Sequence, residues 1–220
     1  EDLIAPGAVG MFGRVLYNPG PLWLVVDTGP YIPCATRPPE WYLAKYTFMV
    51  DGTEFSPTAR LVRYLPLPAP TTEGRPARWV DARLGGAIRL VGYDLVINDR
   101  FASLDDLHPG DPLGVSLLWR ATGDIDADYT SAVYLIDEAG QLVLQQDRQP
   151  VGGFAPTSGW TPGALIRDNF GFILPDDLPP GEYQLWAVMY SWPSLERLSV
   201  RGPDGEDWGD HVVLGTIEVK

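Results

Sequence analysis

The chain has 220 residues, with 16 Lys and Arg against 29 Asp and Glu, a formal net charge of -13 and a hydrophobic fraction of 45%. That balance excludes a surface built to hold nucleic acid or anionic lipid, which would need clustered cations, while leaving enough apolar residues for a proper core. The 24 Gly and 22 Pro predict frequent turns and no long helices.

Residues 7–17 predict a short helix, with Val9, Phe12 and Leu16 on one face. Asn18-Pro19-Gly20 breaks the chain. The apolar run Leu22 to Val26 predicts a strand buried on both faces. Pro38 to Tyr46 predicts a second helix, with its prolines at the start. Ala59 to Leu65 predicts a strand. Residues 1–68 therefore form a small α/β segment, and the Pro- and Thr-rich chemistry of 66–76 marks residues 69–83 as a linker.

Beyond it, residues 84–220 predict a β-sandwich. Strand-like runs cover 87–95, 113–120, 131–136, 142–146, 166–174, 183–190 and 212–219. Asp137-Glu138-Ala139-Gly140 reads as a hairpin turn. The predicted fold class is mainly β: an antiparallel sandwich, Ig-like or jelly-roll-like, preceded by a small α/β segment.

No segment reaches the about 20 apolar residues of a membrane helix. The chain opens on Glu1-Asp2 with no signal-peptide pattern, as expected of an excised fragment. The single Cys34 excludes an intrachain disulfide and reads as an unreactive thiol, since no His is near it in sequence.

Asp124, Asp126 and Asp128 have the alternate spacing of a calcium loop, but Tyr129 stands where the loop glycine belongs and Leu135 where its last acid belongs. A solvated turn is the better reading. The acidic stretch 203–210 reads as a polar connection into the last strand. Asp105-Asp106 and Asp176-Asp177 are neighbours whose side chains diverge, so neither is an acid–base pair. No nucleophile elbow, phosphate loop, dinucleotide fingerprint or zinc-protease helix is present, so no cofactor and no metal are expected.

Eight Trp and ten Tyr suit sugar recognition, in which an aromatic face meets C–H groups and polar groups orient hydroxyls. Trp160, Trp192 and Trp208 lie in turn-rich stretches; Trp119 and Trp186 lie in strands, where packing is the default. Trp160, Arg167, Asp168 and Trp192 are the candidate glycan contacts, although Arg167 and Asp168 read first as ion-pairing residues that pin a loop.

The order of features from residue 84 adds a resemblance. Ile88 to Leu95, Pro109-Gly110-Asp111, Val115 to Trp119, Asp128-Tyr129-Thr130, Tyr134 to Gly140, Pro156 to Gly163, Arg167-Asp168, Pro180 to Leu185 and Gly209-Asp210 follow one another. This series resembles the C-terminal soluble domain of bacterial multi-spanning membrane glycosyltransferases that use lipid-phosphate sugars. Trp23 to Asp27 and Ala59 to Tyr64 look like the segment after the last membrane helix of such proteins. The resemblance implies an extracytoplasmic domain tethered to the membrane, with a glycan or glycolipid and the membrane-spanning part of the same protein as partners. It also implies that the catalytic acid lies in that missing part and falls on no residue here. The expected function is a non-catalytic accessory domain. The other readings are a purely structural or protein-interaction sandwich and a hydrolase with two convergent carboxylates.

Overall fold

The computed structural model describes residues 22–27, 38–56, 59–65, 75–97 and 107–220. The helix expected at 7–17, Cys34, Asp105-Asp106 and the first part of the linker lie outside these residues. The rest is mainly β, in two sheets with one α-helix.

The first strands are β1 (Leu22–Asp27), β2 (Phe48–Ser56) and β3 (Ala59–Leu65), with helix α1 (Pro38–Tyr46) before β2. They continue as β4 (Arg78–Leu84), β5 (Ile88–Ile97), β6 (Pro112–Ala121), β7 (Tyr129–Ile136) and β8 (Leu142–Arg148). Then come β9 (Leu165–Ile173), β10 (Gly181–Ser191), β11 (Val200–Arg201), β12 (Asp207–Gly209) and β13 (Val212–Val219). Nine strands make one sheet in the order β1-β3-β2-β9-β6-β5-β4-β11-β12; four make the other, β13-β10-β7-β8.

The core lies between the sheets. Leu90, Tyr93, Leu95, Val115, Leu117, Trp119, Phe170 and Phe172 of the large sheet meet Val133, Leu135, Tyr183, Leu185, Ala187 and Met189 of the small one. On β7 and β10 these are the odd-numbered positions, as a pleated strand requires. The even-numbered positions therefore face away from the core.

The boundaries expected from sequence need correction. Residues 78–83 are not linker: they belong to β4, which pairs with β5 and β11. The first segment, one helix and β1–β3, joins the sandwich. β2 pairs with β9 in parallel at Met49 and Phe170, so β1–β3 extend the large sheet. Two glycines permit this docking. Gly114 and Gly171 are cross-strand partners. A Cβ on Gly114 would lie 2.8 Å from the Phe48 ring, and one on Gly171 would lie 2.8 Å from the Met49 carbonyl oxygen. Phe48, fully buried, fills the space they leave.

Helix α1 carries Glu40 in its first turn and Lys45 in its last, both matched to the helix dipole. Leu43 packs it on Val62 and Tyr64. Its free C-terminal carbonyls are met from outside: Asn169 Nδ2 of β9 donates to the Lys45 oxygen at 2.8 Å. Gln146 Nε2 of β8 donates to the Met49 oxygen at 2.9 Å.

Candidate functional site

The outward face of the small sheet is built from the even-numbered residues of β7 and β10. Ala132, Tyr134, Ile136, Val188 and Tyr190 form a second buried cluster there, with Trp186 packed against it. Cross-strand register places Tyr134 opposite Trp186, Ala132 opposite Asp147, and Val213 opposite Trp186 on its other side.

Polar groups cover this aromatic floor. Tyr134 donates its hydroxyl to Asp147 Oδ1 at 2.9 Å. Burial, then the Asp147 contact, pushes the Tyr134 phenol well above its ordinary range; burial and the Asp147 charge raise Tyr190. The Arg197 guanidinium lies 5.4 Å over the Tyr134 ring and pairs with Asp210 at 3.3 Å. Asp210 contacts His211 Nδ1 at 2.9 Å, and this bond, with Arg197 nearby, holds its carboxyl below the usual range. His211 stacks on Trp186 with ring centroids 3.7 Å apart and planes 17° apart. The indole N–H of Trp186 donates to Gln184 Oε1 at 2.9 Å. Trp186 is thus fixed on one face and at one edge.

Next to it opens a recess of about 160 Å³. Its polar and aromatic lining is Asp137, Glu138, Glu182, Gln184, Trp186 and Thr216. Glu138 Oε1 accepts the Glu182 backbone N–H at 3.2 Å, which holds the hairpin turn beside the recess. Ligand pockets for drug-sized molecules run roughly 300–1,000 Å³, so this open recess is on the scale of a single sugar ring.

The sequence-predicted residues are placed as follows. Trp160 is packed into the core at 6% exposure, and its indole N–H donates to the Ala155 oxygen at 2.9 Å. Its ring is therefore not a surface platform. Arg167 and Asp168 point to opposite sides of β9. Arg167 Nη1 pairs with Asp94 at 2.6 Å and Nη2 reaches the Arg75 oxygen at 3.2 Å, tying the stretch before β4 to the sheet. Asp168 is fully buried between the sheets, 3.3 Å from Arg148 Nη2, and accepts the Val151 backbone N–H at 2.9 Å. Burial pushes its carboxyl up and the Arg148 guanidinium down, against their mutual attraction. Val151 has φ +56°, a left-handed conformation costly for a β-branched residue, and the Asp168 bond helps to hold it.

Trp192 is 70% exposed, just past the end of β10. It lies in the turn after the strand, six residues beyond Trp186 in the middle of β10, and does not line the recess. The structure brings none of the four predicted residues together into one site. Trp208 is half-buried against the core rather than open.

No family model matches the chain. No curated protein matches it either. The crystal structure of the C-terminal domain of wzt is similar to this chain with a TM-score of 0.41 and 15% identity, over 66% of this chain and 82% of that one. No residue role is carried over from it.

Trp186 is the residue that sequence reasoning passed over. Its position in a strand suggested packing, but the strand alternates two sets, and Trp186 falls with Gln184 rather than with Tyr183, Leu185 and Met189. A polar residue in an otherwise apolar alternate set marks the outward face, and that signal was readable.

Among the described residues no group of three or more His, Cys, Asp or Glu is arranged to hold a metal ion. Asp128 instead accepts the Ser158 backbone N–H at 3.0 Å. A second cavity, of about 270 Å³, lies where β2 and β3 meet the turn after β8; Tyr64, Arg148 and Phe154 line it.

Proposed function

We propose that this chain is a non-catalytic β-sandwich module that holds a glycan on the outward face of its small sheet. The observation that carries the reading is the recess beside Trp186. It offers an indole for the C–H face of a sugar ring, the Gln184 amide and Thr216 hydroxyl for sugar hydroxyls, and carboxylates that accept from them. The buried carboxylates Asp94 and Asp168 are engaged by arginines, which suits scaffolding rather than proton transfer. The wider setting we propose is an extracytoplasmic accessory domain of a membrane glycosyltransferase-like protein, supported by the ordered series of residues from Ile88 to Asp210.

A glycan-array screen of the whole chain, repeated with Trp186→Ala and Trp192→Ala, tests this. Specific binding lost in Trp186→Ala is the expected result. No binding across a broad array, or binding indifferent to Trp186, overturns it.

One observation favours a protein-interaction reading. Trp23 and Val25 project from the same side of the end strand β1 and are 50% and 74% exposed. Such an apolar strip suits contact with the membrane-spanning part of the same protein.

A further inference from the structure

The recess beside Trp186 has a one-sided electrostatic lining. Asp137, Glu138 and Glu182 border it, and among the described residues no Lys, Arg or His does. A fourth carboxylate stands next to it: Glu182 of β10 is the direct cross-strand partner of Glu218 of β13, and both side chains are exposed. Like charges opposite each other in a ladder repel and destabilise the pair. Neither glutamate has a cationic partner among the described residues. The indole makes the recess a place for a ring, and the repelling carboxylates decide what charge that ring carries.

We infer that the recess selects a sugar bearing a free, protonated amino group over its N-acetylated and anionic counterparts. The inference rests on the glycan reading proposed above. An ammonium seated there relieves the Glu182–Glu218 repulsion and donates to Glu138 or Glu182, while the uncharged ring face lies on Trp186. An N-acetyl group presents no charge to these acids, and a uronic acid or a phosphorylated sugar adds a further negative charge to them.

The test is calorimetric titration of the whole chain with three probes: a glucosamine trimer, the matching N-acetylglucosamine trimer and a galacturonic acid trimer. The buffer is at about pH 6, where an aliphatic amine is protonated. The expected result is about five- to tenfold tighter binding of the amine-bearing trimer than of the acetylated one, with no binding of the uronic trimer. The advantage falls as salt is raised and shrinks in Glu182→Gln, whereas Trp186→Ala loses both ligands. The exposed Glu182→Gln change keeps the fold, and relief of the cross-strand repulsion leaves its melting temperature at or slightly above that of the parent chain. Equal binding of the two trimers, dependent on Trp186, overturns the selectivity and leaves the glycan reading standing. Tighter binding of the acetylated or uronic trimer also overturns it. Binding of none of the three overturns the amine selectivity, and the glycan reading falls with it only if the broad array is also silent.

Discussion

The two faces of the small sheet bury their side chains by different means. The inward face is covered by a second sheet, so Val133, Leu135, Leu185, Ala187 and Met189 need only be apolar and fit. Among the described residues no sheet lies over the outward face, yet Ala132 and Val188 are fully buried there as well. Tyr134, Tyr190 and Trp186 lie over them, and Asp147, Arg197 and His211 then satisfy or cap those aromatics at their polar edges. Of these aromatics Tyr134 and Tyr190 are themselves buried, and Trp186 is the one left partly open, with fixed polar atoms around it. A face closed by a sheet presents nothing. That difference suits one face to scaffolding and the other to the glycan-holding role proposed above.

The largest effect that separates them is expected between the sheets. Asp168→Ala leaves the Arg148 charge without its carboxylate in a buried setting and removes the acceptor for the Val151 N–H. Breaking a buried pair in this way costs about 3–5 kcal/mol, a large part of the roughly 5–15 kcal/mol that holds a domain together. Urea unfolding should show that loss. The double change Asp168→Leu with Arg148→Met removes both charges and should recover most of it. A single change costing under about 1 kcal/mol would show that the pair is not the bridge between the sheets.

A second contrast sets two tryptophans against each other. Trp160→Phe keeps a ring in the core but leaves the Ala155 carbonyl unsatisfied, and about 1–2 kcal/mol of stability should go with no change in glycan binding. Trp186→Ala should abolish binding, at a stability loss of about 2–3 kcal/mol, because its indole packs on the outward cluster and stacks on His211. Denaturant melts and binding isotherms on both variants read the two effects separately. Loss of binding in a folded Trp160→Phe would move the site away from the recess.

These tryptophans also show what was legible in the sequence. β1, α1, β3 and β13 could be read as elements from apolar runs and proline placement, because those are local properties, but β1 is not buried on both faces as expected: it is the end strand of the large sheet, with Trp23 and Val25 exposed. The antiparallel sandwich followed from alternation and turn spacing, and the structure has it. β2 was not legible: from Asp51 to Ser56 its side chains are exposed, and it is a strand because β3 pairs with it rather than because its own pattern demands one. The docking of the first strands was hidden for a similar reason. It depends on two glycines, 114 and 171, that are far apart in sequence and adjacent only across the ladder. Trp160 lies in a turn-rich stretch and looked open, but the sheets close over it. Arg167 and Asp168 were readable as ion-pairing residues, and their partners Asp94 and Arg148, each about 20 residues or more away, were not.

The smallest effect tests the polar closure of the outward face. Asp210 bonds to His211, which stacks on Trp186, and pairs with Arg197, which lies over Tyr134. Its folded pKa is held below the unfolded value, so its contribution to stability is full above about pH 4 and is lost as pH falls through the lower folded value. Both partners are substantially exposed, and solvent screening keeps the contribution small. Asp210→Asn should therefore melt slightly below the parent chain near neutral pH, by about 2 °C or less, and the two curves should converge on acidification. A gap that persists into strong acid would mean that Asp210 acts by shape rather than charge. A gap that closes would show that Asp210 acts through its charge on His211 and Arg197.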